Sequence, residues 1–270
     1  MKIRAGFTLS YDCPQPTPML LVLKTHPSRR GDLVGEEVLT FDPPVEATDF
    51  IDSFGNACTR IVAPPGITTI SNDFVVRDSG LPEPAVGDAV QHDVNELPDD
   101  ILVYLQGSRY CETDRLGPLA WPLFSSIPPG GARAQAICAF VHNHMTFGYR
   151  HADRLRSAFG GYSDRVGVCR DFAHLAVALS RCMNIPARYC TGYLGDIDFP
   201  PDGEPMDFSG WYEVYLGGRW YTLDARFNTP RIGRILVAAG RDAADVALST
   251  IFAPARLAGF KVVTEEVVEG

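Results

Sequence analysis

The chain has 270 residues, 46% of them hydrophobic and 21% charged, with a formal net charge of −9. This is enough apolar material for a sizeable core, and the length suggests two domains. No run of about 18 apolar residues is present to span a membrane, and the acidic balance argues against nucleic-acid phosphates as the main partner.

Seven cysteines, an odd number without framework spacing, read as reduced thiols. The start Met1-Lys2-Ile3-Arg4-Ala5-Gly6 lacks the apolar stretch of a signal peptide and moves straight into alternation, so a cytoplasmic protein is expected. Residues 1–105 read as β: alternating or apolar runs at 2–11, 19–24, 34–41, 49–53, 57–62 and 67–76, with Gly55-Asn56 as a turn and prolines between the runs. Many short strands with frequent turns predict an antiparallel sandwich. Cys13, Cys58, His26 and His92 are isolated there and read as structural.

Residues 105–130 read as a connection, punctuated by Trp121-Pro122 and Pro128-Pro129-Gly130-Gly131. A helix is expected from 132 to about 147. Cys138 and His142 lie one turn apart on it, a metal-ligand spacing, but no third and fourth ligand follow and apolar residues surround the pair. Residues 151–164 read as a loop or short helix. From Cys169 the apolar positions Phe172, Ala176, Leu179 and Met183 form one stripe, predicting an amphipathic helix that stops near Asn184, ahead of Ile185-Pro186. Cys169 thus stands at a helix start, where partial positive charge favours a thiolate; the alternative is a small core residue near a helix end.

A strand at 187–194 and a polar loop at 195–205 lead to a hairpin. Residues 208–216 and 219–225 alternate on either side of Gly217-Gly218, and a two-residue loop pairs 216 with 219, 213 with 222 and 211 with 224. Trp211 then faces Asp224, with Ser209 diagonal to it on the same face. Asp224 is either a buried carboxylate that needs a partner or a solvated strand end. Two more strands are expected at 234–238 and 259–263, with 241–245 a charged loop and 265–270 frayed.

Several segments together, in order, resemble bacterial transglutaminase-like proteins, described in that superfamily as cysteine peptidases. They are Gly167-Val168-Cys169-Arg170-Asp171-Phe172-Ala173-His174-Leu175, Ile185-Pro186-Ala187-Arg188-Tyr189, Trp211-Tyr212-Glu213-Val214-Tyr215-Leu216, Trp220-Tyr221-Thr222-Leu223-Asp224, Pro230-Arg231-Ile232-Gly233-Arg234 and Gly240-Arg241-Asp242-Ala243-Ala244-Asp245-Val246. The likeness runs over about 105–265, and the front part is similar to the β-rich N-terminal region of the same proteins. It implies an α+β fold: a papain-like, transglutaminase-like core at 106–270, with a Cys-bearing helix on an antiparallel sheet, preceded by an all-β sandwich domain at 1–105. It also implies a peptide or protein substrate, no cofactor and no metal. Carried over by position, Cys169 matches the nucleophile and Asp224 the acid that orients a histidine. The histidine of the His-Ala-Trp pattern is replaced by Ser209, and its alanine by Gly210.

Serine does not ionise near neutral pH and cannot replace imidazole as a proton carrier. His174 is five residues along the helix, not a face-sharing spacing, and nothing in the sequence aims His142, His144 or His151 at Cys169. Three readings follow: a thiol hydrolase or acyl transferase with a compensated change at Ser209; a silent relative that binds peptide or protein segments; or other thiol chemistry, with Cys169 redox-active or merely packed.

Overall fold

The computed structural model describes residues 1–200 and 206–268. Six strands open the chain: β1 (Lys2–Cys13), β2 (Thr17–Leu21), β3 (Thr40–Asp42), β4 (Ala47–Ile51), β5 (Ala57–Ala63) and β6 (Gly66–Arg77). Then come α1 (Thr113–Phe124), α2 (Gly131–His144), β7 (Thr146–Phe147), α3 (Ala158–Asp164), β8 (Val166–Gly167) and α4 (Cys169–Cys182). The remainder is β9 (Ala187–Tyr193), β10 (Ser209–Leu216), β11 (Arg219–Leu223), β12 (Ile235–Gly240), β13 (Ser249–Ile251) and β14 (Arg256–Glu266).

The expected helix-on-sheet core is present. Helix α4 packs on β9 and β10, the middle of an antiparallel sheet ordered β11-β10-β9-β12, and α1, α2 and α3 cover its other sides. It is therefore buried all round rather than along one stripe: Asp171, His174, Ser180 and Arg181 are buried together with Phe172, Leu175 and Leu179. Its polar side chains are accommodated by hydrogen bonds. The Arg181 guanidinium donates to the carbonyls of Ala187, Gln106 and Arg241.

The hairpin has the expected register, Leu216 opposite Arg219 and Glu213 opposite Thr222. Gly217 and Gly218 both take positive φ, 56° and 81°, as a type I′ turn requires. The segment taken as a connection at 105–130 contains α1 instead. Leu116, Ala120 and Phe124, four residues apart, form the stripe that buries it beside α4, which outweighs the breaking tendency of Pro118 and Pro122. The run expected at 34–41 forms a strand only from Thr40.

The β-rich front part is two four-stranded antiparallel sheets, β14-β1-β6-β3 and β13-β2-β5-β4. Alternate residues of β1 (Ile3, Ala5, Phe7, Leu9) join a core continuous with that around α4. A single cut near residue 105 does not separate the sheets. Strands β13 and β14, which the expected 106–270 unit would have contained, return to pair with β2 and β1 because the chain crosses back after β12. Residues 265 and 266, expected to be frayed, are the last rungs of β14. Of the expected polar loop at 195–205, positions 201–205 lie outside the described residues.

Candidate active site

The start of α4 is fixed from two directions. The short parallel pair β7–β8 ties the end of α2 to the residues just before Cys169. Asp171, in the first turn, accepts the Val168 N–H at 3.0 Å and the Arg170 guanidinium at 2.9 Å. A carboxylate here satisfies an end-of-helix donor and complements the helix dipole.

Cys169 opens on a narrow cavity of ≈ 40 Å³, shared with Ser209, Asp207, Tyr149, Arg226, Phe227 and Arg231. The backbone N–H of Gly210, at the start of β10, favours the charged form of this sulfur. The helix and the hairpin strand thus meet at the sulfur, and Cys169 and Ser209 face one space. Ser209 Oγ is buried and makes no hydrogen bond among the described residues.

Burial is the dominant influence on the thiol and pushes its pKa up to about 11. The Gly210 N–H and the Arg226 charge oppose this; the charges of Asp207 and Asp224 reinforce it. At neutral pH Cys169 is therefore a thiol, with burial as the dominant cause. Asp207 is itself pushed up by burial, with its own Phe208 N–H pulling the other way at 2.6 Å.

Asp224 does not line this cavity. It is 5% exposed, so the solvated-strand-end alternative fails. Its Oδ1 accepts the N–H groups of Arg226 and Phe227 at 2.9 and 3.4 Å, and its Oδ2 accepts Arg234 Nη2 at 3.0 Å. The same guanidinium donates from Nε to Glu83 and lies over the Trp211 ring at 4.6 Å. Burial works against the Arg234 charge, but Asp224 and Glu83 more than compensate and hold its pKa above the usual guanidinium value. The carboxylate matched to a histidine-orienting role is thus paired with an arginine.

No histidine lines the Cys169 cavity among the described residues, and the sequence of 201–205 contains none. His174 is sealed between Tyr110 and Tyr189, with ring centroids 5.1 and 5.0 Å away. Its Nε2 accepts the Ala243 N–H, and burial pushes its pKa well down, so it is neutral. His142 Nδ1 lies 3.2 and 3.0 Å from the carbonyls of Ala225 and Arg226, and Cys138 is buried with its pKa pushed up to about 12 by burial. That pair is committed to packing and backbone contacts.

Sequence reasoning missed Asp207, Tyr149, Arg226 and Arg231. Asp207 and Arg226 each lie two residues from a position already singled out, Ser209 and Asp224, and that proximity was the available signal. Tyr149 and Arg231 reach the cavity through tertiary folding alone.

The profile of the transglutaminase-like superfamily matches residues 122–225. The crystal structure of a "putative cysteine protease" from Cytophaga hutchinsonii is similar over all of this chain and 92% of that one, with 30% identity and a TM-score of 0.87. An uncharacterised protein of Mycobacterium tuberculosis is 30% identical over 239 residues, 77% of this chain and 73% of that protein. One from Mycobacterium leprae is 37% identical over 86 residues, and that match spans 30% of each chain.

Proposed function

The chain belongs to the transglutaminase-like superfamily, and from that premise we propose that its Cys169 cavity receives peptide or protein amides as an attenuated relative of the cysteine-protease type. The observation that carries this is the sulfur itself. It is seated as a nucleophile would be, at a helix start against a strand N–H, yet no imidazole shares its cavity. Attack on an amide carbonyl needs a thiolate and a proton for the departing amine, and one histidine normally supplies both. Ser209 supplies neither.

The residues present divide the work as follows. Cys169 offers a thiol. Gly210 N–H and the Arg226 charge favour the small thiolate fraction. Asp224, held by Arg234, shapes the turn after β11 rather than a histidine ring. Loss of general acid–base help costs about 10²–10⁴ in rate, so binding outlasts turnover.

The test pairs two measurements on a panel of glutamine-containing and other peptides, with and without an amine acceptor. The wild-type protein and Cys169→Ala should bind the same peptides with similar affinity, and Cys169-dependent turnover should be slow or absent. Rapid hydrolysis or acyl transfer abolished by Cys169→Ala would replace the attenuated reading with that of a working thiol enzyme. That second reading draws on the two groups, Gly210 N–H and Arg226, that pull the thiol toward ionisation.

A further inference from the structure

We propose that Arg231 makes the Cys169 cavity a carboxylate-accepting site, so that the peptides it receives carry an acidic side chain or a free C-terminal carboxylate close to the reacting amide. Arg231 lines the same space as Cys169, and its guanidinium is held at the cavity wall from several sides. Nη2 donates to the Gly195 carbonyl at 2.9 Å, and the residues flanking Gly195, Leu194 and Asp196, both line the cavity. The guanidinium carbon lies 3.8 Å from the centre of the Phe199 ring and 4.4 Å from that of Phe227, another lining residue.

The positive charge at this wall is incompletely answered. Arg231 is 3% exposed, and its Nε and Nη1 are buried with no hydrogen-bond partner. Burial, then the nearby Arg234 charge, work against the cation and pull its pKa down; the charges of Asp224 and Asp196 oppose this without making up the loss. A guanidinium still keeps its charge at neutral pH. A buried cation without a countercharge is costly, and the two aromatic rings recover only part of that cost. The cavity offers room for the rest. At ≈ 40 Å³ it holds about three water-sized groups, enough for a carboxylate. Of the acids that line it, Asp196 is exposed to solvent and Asp207 is engaged by its own Phe208 N–H. Arg226 lines the same space and adds a second positive charge.

This inference rests on the peptide-binding reading of the Cys169 cavity, and its test separates the two. In the first arm Cys169 is alkylated with iodoacetate, which carries a carboxylate, and with iodoacetamide, its neutral isostere, and both rates are followed by peptide mapping. The iodoacetate-to-iodoacetamide ratio should exceed that of free cysteine about tenfold, the size of one partly screened charge pair, and should shrink as salt is raised. Arg231→Gln should return the ratio to that of free cysteine with little change toward iodoacetamide, whereas Arg231→Lys, which keeps the charge, should keep most of it. A wild-type ratio no higher than that of free cysteine, or a raised ratio that survives Arg231→Gln, would overturn the proposal. If Arg231→Gln does not fold, the wild-type ratio and its salt dependence decide. The second arm measures binding to Cys169→Ala of three glutamine peptides: a neutral amide, the same amide with one neighbouring Glu, and the neutral sequence with a free C-terminus. One carboxylate form should bind about tenfold tighter than the neutral amide, and which one does so identifies the source of the carboxylate. Equal binding of all three overturns this proposal and leaves the peptide-binding reading standing. Binding of none, with the iodoacetate preference intact, overturns that reading and the peptide occupant together and leaves Arg231 as a site for a smaller carboxylate. If neither reagent labels Cys169, the peptide arm decides.

Discussion

The two corners at the open end of the β10–β11 hairpin have opposite characters. At Asp224 both carboxylate oxygens are engaged, by two backbone N–H groups and by Arg234, which Glu83 also holds. At Ser209 a buried hydroxyl has no partner among the described residues. In the resembling pattern a histidine would link these corners. Here one corner is a closed ion-pair network that supports the fold and the other has a single idle oxygen. Asp224 therefore has a structural role that needs no histidine.

The contrast can be broken at several points. The largest effect is expected at Arg234. Arg234→Met leaves Asp224 and Glu83 buried or half-buried without their cation, and should cost about 3–5 kcal/mol in chemical denaturation; a loss under about 1 kcal/mol would show the network to be idle too. Next is the turn that sets the register of both corners. Gly217→Val forces a β-branched residue into positive φ and should cost about 1–3 kcal/mol.

Ser209→Ala should be neutral or stabilising by about 1 kcal/mol, because it removes a buried oxygen that lacks a partner. Marked destabilisation would mean that the hydroxyl is engaged after all. The smallest effect is kinetic. Asp207→Asn removes a negative charge that raises the Cys169 pKa, so alkylation at pH 8 should quicken by about two- to threefold. The pH dependence follows from the same sulfur. Its folded pKa of about 11 exceeds the ordinary 9.0, so the folded state holds this proton more tightly. Its contribution to stability is then present below about pH 9 and lost as pH rises toward 11.

What could be read in advance depended on whether the information was local. The hairpin register followed from Gly217-Gly218 because a two-residue turn leaves no choice of pairing. The Cys169 helix followed from its apolar spacing and from Ile185-Pro186. Helix α1 was hidden by Pro118 and Pro122, whose local preference is overruled by burial of Leu116, Ala120 and Phe124. The thiol's ionisation was only half legible for a related reason: the helix terminus is visible in sequence, but the burial that pushes the pKa up is tertiary. The same holds for Arg234, ten residues beyond Asp224, and for Tyr189 beside Gly210, since both relations exist only once strands are laid side by side.

The pairing of β1 with β14, and of β2 with β13, carries a consequence for biosynthesis. The strands at the head of the chain leave the ribosome long before the neighbours that complete their sheets. Until then β1 presents a long row of unsatisfied amides and carbonyls, an invitation to chaperones and to the wrong partner. A translation product halted before residue 249 would contain every residue that lines the Cys169 cavity and still lack the strands that pair with β1 and β2.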